Sequence, residues 1–512
     1  MIKINRNEKL TLKEVNAVLH GNNIEVDPES LEYANQVHQF LVDFSKDKVI
    51  YGINTGLGPM AQYKVADGKQ VELQYNLIRS HSAGCGASLP DDFVKAAMLC
   101  RLKSVSQGVS GIHTSALELL TNLINHNIFP NIPEHGGVGA SGDLVQLSHL
   151  ALSLIGEGYV TYEGKKQKTA DVFEQLGLNP ITVVLREGLS LINGTSVMTG
   201  IGLVNLIRTK RLFGWMLTAG ALINEVVESF DDHFSDELNQ VKQHAGQQFV
   251  ASQMQDILKD SELIGHRASH FYNGNVEEKI FRKKVQEYYS LRCLPQILGP
   301  VYDTIKGAEE VLIGELNSVS DNPIINMEKQ TVFHGGNFHG DYVSLEMDKL
   351  KLAVTRLSML SERHINYLFN PRLNEILPPF VNLGVLGLNL GMQGMQFTAT
   401  STTAENQTLS NSMYVHSIPN NNDNQDIVSM GTNSALMTAR VIENANQVLA
   451  IELIALVQAV DYLKIEDKLA GQTKAMYQQI RNIVPVFTED AARYEDIEKV
   501  VAYIRENECL TF

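Results

Sequence analysis

The sequence predicts a mainly α-helical protein with a central bundle of long helices. Long stretches without glycine or proline carry apolar side chains at helical spacing, whereas strand-like runs are few and short. A helix over most of residues 432–470 would extend about 50 Å. Because such helices have wide apolar faces that need partners on several sides, we expect further subunits to complete the bundle.

In chain order, the clearest predicted elements are one short strand and three long helices. The run Tyr159-Val160-Thr161-Tyr162 has the aromatic and β-branched composition of a strand. The segment 197–230 is strongly apolar and is predicted to be helical. The segments 347–370 and 432–470 repeat apolar residues at intervals of three and four, which is typical of helices.

Polar and glycine-rich loops are predicted to interrupt the helices at five places. They are residues 51–58, 79–86, 136–143, 193–196 and 417–431. Loops held between rigid helices commonly carry catalytic groups. We divide the chain into an N-terminal part, 1–200, with the loop of Tyr51 and a glycine-rich turn, and a part 201–512 with the long-helix bundle and the C-terminal helices.

Composition excludes several classes of partner. The 512 residues are 44% apolar and carry a net charge of −16, which disfavours binding to a phosphate backbone. Four cysteines without metal-type spacing suggest a reducing compartment. We find neither an apolar leader at the N-terminus nor an unbroken apolar run of about 20 residues. We therefore expect a cytoplasmic protein without nucleic-acid or membrane partners.

The most informative stretch is Ala140-Ser141-Gly142, which lies in a glycine-rich turn. The amide nitrogen of Gly142 can attack the carbonyl carbon of Ala140 and close a five-membered ring. Loss of water gives an imidazolone, and elimination of the Ser141 hydroxyl leaves an exocyclic methylidene group. Glycines around the triplet allow the compressed backbone that this cyclisation needs. The turn can therefore make an electrophile that no ordinary side chain provides.

The same residues allow other interpretations. Gly137, Gly139 and Gly142 have the spacing of a dinucleotide-binding fingerprint, but that motif follows a strand, and the preceding segment with two prolines predicts none. A serine-hydrolase nucleophile elbow would need glycine where Asp143 stands. Taken alone, the segment is also compatible with a flexible surface loop.

Seven motifs in this order resemble those of the aromatic amino acid ammonia-lyases, the family of histidine, phenylalanine and tyrosine ammonia-lyases. The motifs are YGINTGLG at 51–58, GASGDL at 139–144, INGT at 192–195, QEYYSLRC at 286–293, SDNP at 320–323, GGNFH at 335–339 and NQD at 424–426. The resemblance covers nearly the whole chain. It implies the helical fold shared with fumarases and aspartases, and a homotetramer whose active sites draw on three subunits. It also implies that Ala140-Ser141-Gly142 forms 4-methylidene-imidazol-5-one (MIO) without an external cofactor.

The resemblance also implies roles for individual residues. Tyr51 would be the base that removes the β-proton, which requires a phenol that is deprotonated or nearly so. Arg292 would clamp the substrate carboxylate with two parallel hydrogen bonds. Tyr289 and Asn193 would donate hydrogen bonds around the MIO carbonyl and the amine. The remaining pocket residues would be Gly58, Leu144, Phe338 and Asn424, of which Asn424 contacts the carboxylate or the amine.

The choice of substrate depends on three further residues. Ser80 and His81 match the pair found in histidine ammonia-lyases, but Gln425 stands where those enzymes carry a glutamate. A neutral amide removes the preference for imidazole, and His81 can meet a phenolic hydroxyl. This combination resembles a group of bacterial tyrosine ammonia-lyases, so we expect conversion of L-tyrosine to trans-4-coumarate and ammonia. Histidine ammonia-lyase and an MIO-dependent aminomutase stay open as alternatives.

A metal centre is a further possibility to be tested. His334, His339 and Asp341 are residue types that bind zinc or iron, but the intervening glycines form a turn and not one helix face. We therefore expect no metal. A nicotinamide dehydrogenase and a non-catalytic helical scaffold are the contrasting classes, and neither explains Tyr51, Arg292 and the Ala-Ser-Gly turn together.

Overall fold

A computed structural model describes residues 1–272, 279–281 and 284–510. The chain forms two compact units. The first consists of residues 1–207, 308–348 and 412–439, and the second of residues 208–307, 349–411 and 440–512. The units do not coincide with the two parts divided at residue 200, because two later segments also belong to the first unit.

The mainly α-helical class is confirmed, with 20 α-helices in the described part of the chain. In chain order they are α1 (Leu12–Leu19), α2 (Pro28–Phe44), α3 (Gln70–His81), α4 (Asp91–Ser106), α5 (Thr114–Asn125), α6 (Leu144–Leu154), α7 (Thr169–Leu176), α8 (Glu187–Ile192), α9 (Ser196–Val226), α10 (Asp236–Asn239), α11 (Ala245–Leu258), α12 (Arg267–Phe271), α13 (Tyr289–Arg292), α14 (Leu294–Leu316), α15 (Asp341–Phe369), α16 (Pro371–Asn374), α17 (Gln393–Leu409), α18 (Gly431–Leu463), α19 (Gly471–Ile483) and α20 (Tyr494–Glu506).

The strands in the described part of the chain are short, and each belongs to the first unit. They are β1 (Ile2–Ile4), β2 (Ile24–Val26), β3 (Cys85–Ser88), β4 (Phe129–Pro130), β5 (Pro133–His135), β6 (Tyr159–Tyr162), β7 (Lys165–Lys168), β8 (Ile324–Asn326) and β9 (Thr331–Phe333). Strands β1 and β2 pair in parallel, whereas the pairs β3–β5, β4–β6, β6–β7 and β8–β9 are antiparallel. The predicted strand at 159–162 is confirmed as β6.

The expectation that no strand precedes Gly137 is wrong. Strand β5 ends at His135, and its residues Pro133 and His135 lie opposite Ser88 and Cys85 of β3. A two-stranded antiparallel ribbon tolerates proline at such an edge. A dinucleotide-binding turn instead follows a strand of a parallel βαβ unit, so this correction gives the dehydrogenase interpretation no support.

The three long predicted helices are confirmed as α9, α15 and α18, with shifted ends. Helix α18 ends seven residues before the predicted residue 470, and α15 begins six residues before the predicted residue 347. Helix α18 is long and apolar enough to cross a membrane, yet 78% of its most apolar window is buried within the protein. A core helix of a folded protein has these properties too.

Three helices of the first unit pack against one another and position the candidate site. Helix α3 contacts both α6 and α8, and α6 contacts α8. Helix α6 begins directly after the Ala-Ser-Gly turn, and α8 ends directly before Asn193. The turn, Asn193 and the last residues of α3 are therefore brought together by neighbouring helices.

Candidate active site

The Ala-Ser-Gly turn lies between β5 and α6 and is held against Gly194. The amide nitrogen of Asp143 donates to the carbonyl oxygen of Gly194 over 2.7 Å. Gly142 has a φ of +70°, and a Cβ atom there would lie 1.9 Å from the same oxygen. Only glycine fits this position, because it combines a left-handed backbone with a close backbone contact.

Both oxygen atoms of Ser141 accept hydrogen bonds from side-chain amides. Asn193 Nδ2 donates to the carbonyl oxygen over 3.2 Å, and Gln425 Nε2 donates to Oγ over 3.0 Å. After cyclisation, the carbonyl oxygen of Ser141 would be the ring carbonyl of MIO, and Oγ would be the oxygen that has left. The residues present therefore fit the group: Asn193 is placed on the oxygen that gains negative charge when a nucleophile adds to the methylidene.

Asp143, the residue after the turn, caps a helix other than the one it precedes. Its Oδ2 accepts from the amides of Val197 and Met198, both at 2.9 Å, in the first turn of α9. Its Oδ1 accepts from the Thr432 hydroxyl. Burial raises the pKa of Asp143 to about 6, although these hydrogen bonds act in the opposite direction. The carboxylate thus joins the turn to α9 at a cost in desolvation.

We expect Asp143→Asn to change how stability depends on pH. A carboxyl with a raised pKa in the folded state destabilises that state as pH rises from its usual 3.8 through about 6. Asparagine keeps an acceptor for the two amides and carries no charge, so this loss should vanish. The gain above pH 6 should not exceed about 3 kcal/mol. Melting temperatures at a series of pH values measure the effect.

Asp143→Ala is the matched control for this prediction. It removes the charge as asparagine does, but it also leaves the amides of Val197 and Met198 without their acceptor, so it should be less stable than Asp143→Asn by about 2 kcal/mol or more at every pH. If Asp143→Asn melted at a lower temperature than the wild type, and its stability depended on pH as that of the wild type does, burial of the Asp143 charge would not carry the free-energy cost given above.

The turn borders a cavity of about 490 Å³ in the first unit. This volume suits a small aromatic substrate. It brings together most of the predicted site residues. They are Tyr51, Gly58, Ser80, His81, Ser141, Leu144, Asn193, Phe338, Asn424 and Gln425. The sequence did not single out Leu57, Leu189, Asn322 or Asn421, which also line it. Ala140 and Gly142 flank Ser141 in the turn and are buried.

Tyr51 is half-buried on a turn whose backbone is fixed by a buried glutamine. The phenolic oxygen of Tyr51 accepts from the amide of Gly58 over 3.1 Å. Gln74 of α3 donates to the carbonyl oxygen of Gly52 over 2.8 Å and accepts from the amide of Leu189 over 3.1 Å. These hydrogen bonds hold the phenolic oxygen of Tyr51 and the turn that carries it in place.

His81 lies at the end of a helix. The prediction of a loop over 79–86 is therefore wrong for its first three residues, which belong to α3, and for its last two, which belong to β3. Its Nδ1 lies 3.0 Å from the carbonyl oxygen of Leu77, one helical turn earlier in α3. Because a carbonyl oxygen only accepts, Nδ1 carries the proton in the neutral ring and Nε2 is the acceptor. Ser80 Oγ lies 3.1 Å from the same Nδ1.

Tyr289 and Arg292 form helix α13 and belong to the second unit. Arg292 Nη1 donates to Gln286 Oε1 over 2.6 Å and to the carbonyl oxygen of Glu287 over 3.0 Å. The guanidinium carbon of Arg292 lies 4.8 Å from the centre of the Tyr289 ring. The Tyr289 side chain is 70% exposed. The predicted contacts of these two residues with a substrate stay predictions.

The three residues considered for a metal centre do not form one. His339 Nδ1 lies 3.6 Å from Asp341 Oδ1, and its Nε2 lies 3.3 Å from the carbonyl oxygen of Ile427. His334 is exposed. Within residues 1–272, 279–281 and 284–510, no group of three or more His, Cys, Asp or Glu side chains could hold a metal ion. All four cysteines are unpaired.

A mainly helical fold with a cavity that is lined by Ser141 of the Ala-Ser-Gly turn and by the half-buried Tyr51 is the architecture expected of enzymes that act on aromatic amino acids. Known proteins agree with this assignment. The sequence pattern of the family described as aromatic amino acid lyase matches residues 10–482, so the chain belongs to that family. Its fold is the one of the fumarase and aspartase superfamily.

Relatives with different activities share this architecture. A tyrosine 2,3-aminomutase of Chondromyces crocatus is 38% identical over 491 residues, covering 94% of this chain and 92% of the relative. A histidine ammonia-lyase of Geobacillus sp. (strain WCH70) is 37% identical, covering 97% and 95%. The crystal structure of a tyrosine aminomutase from Streptomyces globisporus is 37% identical, with a TM-score of 0.94 and coverage of 99% and 97%.

Proposed function

We propose that this enzyme removes ammonia from L-tyrosine by MIO-dependent, non-oxidative elimination and releases trans-4-coumarate. The observation that carries the proposal is the position of Ser141. Its carbonyl oxygen accepts from Asn193, its hydroxyl accepts from Gln425, and it borders the cavity that Tyr51 and His81 also line. When MIO has formed from Ala140, Ser141 and Gly142, it supplies an electrophilic carbon that activates the amino group for departure.

The side chains of the chain itself supply the other steps. Tyr51 takes the β-proton of the substrate, and the amide of Gly58, which donates to the phenolic oxygen, holds that oxygen in position. Asn193 stabilises negative charge on the ring oxygen. Phe338 and Leu144 pack on the aromatic ring, and Asn424 and Gly58 border the amino acid end.

Arg292 and Tyr289 are proposed to complete the site from another subunit. The family resemblance implies a homotetramer whose active sites draw on three subunits. Arg292 is half-buried and offers a planar pair of donors to the substrate carboxylate. Tyr289, with its largely exposed ring, would donate to the amine or the ring carbonyl. We also propose a cytoplasmic location, as the sequence suggests.

Electrostatics favour tyrosine over histidine as the substrate. The described residues that line the cavity include no aspartate or glutamate, so nothing there favours a positively charged imidazole. His81 Nε2 is left as an acceptor by the Leu77 carbonyl, which suits the donor hydroxyl of a phenol. Gln425 is a neutral amide that lines the same cavity, so it adds no negative charge there.

An aminomutase is the second candidate, and the names of the similar proteins favour it. Several relatives at 37–38% identity are tyrosine 2,3-aminomutases. Such an enzyme would use the same turn and the same substrate but return ammonia to the β-carbon. Product analysis separates the two outcomes, because a lyase accumulates coumarate whereas a mutase accumulates β-tyrosine.

The decisive experiment compares kcat/KM for tyrosine, phenylalanine and histidine. We expect tyrosine to exceed phenylalanine by at least about 10²-fold, since phenylalanine leaves His81 Nε2 without its donor. His81→Phe should reduce this ratio by about tenfold or more and leave the ring absorbance of MIO unchanged. A clear preference of the wild type for histidine would overturn the proposed substrate.

A further inference from the structure

A fully buried arginine contacts the segment that holds the Ala-Ser-Gly turn. Arg101 belongs to α4, and none of its surface is exposed. Its Nη1 donates to the carbonyl oxygen of Asn193 over 2.9 Å, and its Nη2 donates to the carbonyl oxygen of Ser190. Ser190 lies in the last turn of α8, and Asn193 is the residue that directly follows this helix. The guanidinium therefore caps the C-terminus of α8 with a full charge.

The segment held by Arg101 is also the one that holds the turn. The side chain of Asn193 donates to the carbonyl oxygen of Ser141, and the carbonyl of Gly194 accepts from the amide of Asp143. A Cβ atom on Gly194 would lie 2.4 Å from Arg101 Nη1. The guanidinium thus packs directly on the Gly194 backbone, beside the two residues that contact the turn.

The charge of Arg101 has no counter-ion in contact. Among the described residues, it forms no ion pair with a carboxylate, and Asp321, whose charge acts on it, pairs with Arg186 instead. The Nε of Arg101 has no hydrogen-bond partner. Burial lowers the pKa of Arg101 to about 10, partly offset by Asp321, so the side chain is charged at neutral pH. Burying a charge without a carboxylate in contact is expensive, whereas a neutral side chain could fill the same space.

We propose that Arg101 is a positioning residue of the active site, which fixes Asn193 against the Ser141 carbonyl oxygen and favours negative charge there through its buried positive charge. This inference rests on the proposed MIO chemistry. In the finished ring, the Ser141 oxygen receives electron density when a nucleophile forms a bond to the methylidene carbon. A fixed donor and a nearby cation in a buried site stabilise that density.

The test measures the electrophile directly, without substrate. Cyanide adds to an electrophilic methylidene carbon, and the addition can be followed as loss of the ring absorbance. We expect Arg101→Lys, which keeps the charge but not the paired donors, to slow the addition about tenfold. Arg101→Met should slow it about 100-fold or more, and both variants should lower kcat for tyrosine more than they raise KM.

Lys103 is the matched control, since it is buried two residues further along α4. Its Nζ donates to the carbonyl oxygens of Asn5 and Glu8 and has no link to the turn. Lys103→Met should lower thermal stability but leave cyanide addition per ring unchanged. Wild-type addition rates in folded Arg101→Lys or Arg101→Met, or equal slowing in Lys103→Met, would overturn the role of Arg101. Absence of the ring absorbance from the wild type would instead refute the proposed function.

Discussion

Ser141→Ala is expected to abolish the ring absorbance and to lower turnover of tyrosine by at least about 10³-fold. Alanine lacks the hydroxyl whose elimination creates the methylidene carbon, so the electrophile cannot form even if the backbone cyclises. The fold should survive. Ser141 is half-buried, and alanine removes only the hydrogen bond that Gln425 donates to its Oγ in the uncyclised chain, at a cost of about 1 kcal/mol.

Ser82→Ala is a suitable control for this loss. Ser82 is also half-buried, and its Oγ donates to the carbonyl oxygen of Ile78 at the end of α3. This variant should lose comparable stability but keep the ring absorbance and turnover. Difference spectra, circular dichroism melts and initial rates are measured on both variants. Substantial turnover by folded Ser141→Ala would refute an electrophile made from this turn.

The long helices could be predicted from sequence because their signal is local and repeated. Apolar residues at intervals of three and four identify α9, α15 and α18 over many turns, so a few exceptions do not matter. Their ends are less certain. Helix α18 stops at Leu463, where neither glycine nor proline marks the boundary, and the following Lys464 adopts a left-handed φ of 56°. Nothing in the lysine itself signals this turn.

The short elements around the site depend on contacts that the local sequence does not reveal. Strand β5 contains a proline and exists because it pairs with β3, nearly 50 residues earlier in the chain. The end of α3 resembled a loop because glycines follow it closely. Basic residues such as Arg79 and His81 are in fact common in the last turn of a helix, and this signal could have placed His81 correctly.

Motifs located most of the cavity residues, yet they did not reveal what supports them. Asn193 and Gln425 were assigned to the pocket, but only coordinates show that both donate to Ser141. Arg101, Gln74 and the capping role of Asp143 were missed, because each acts on backbone atoms at least 22 residues away. The only sign in the sequence was the charged Arg101 within the apolar part of α4, and this sign did not show that its partner is the carbonyl of Asn193.

Tyr51→Phe should keep the ring absorbance and the rate of cyanide addition while lowering kcat for tyrosine by about 10²- to 10⁴-fold. Phenylalanine preserves the ring that fills this part of the cavity but removes the oxygen that takes the β-proton. The amide of Gly58 then loses its acceptor, which costs about 1 kcal/mol if water replaces the phenol. KM should change little, because removal of a base affects the transition state more than binding.

The control is Tyr63→Phe, since Tyr63 also lines the cavity but is 72% exposed. Loss of an exposed phenol should leave kcat within about threefold of the wild type. Because Ser141→Ala removes the electrophile and Tyr51→Phe removes the base, their spectra must differ even though both are inactive. Wild-type turnover by Tyr51→Phe, or loss of its ring absorbance, would show that Tyr51 is not the base or acts earlier, in forming the ring.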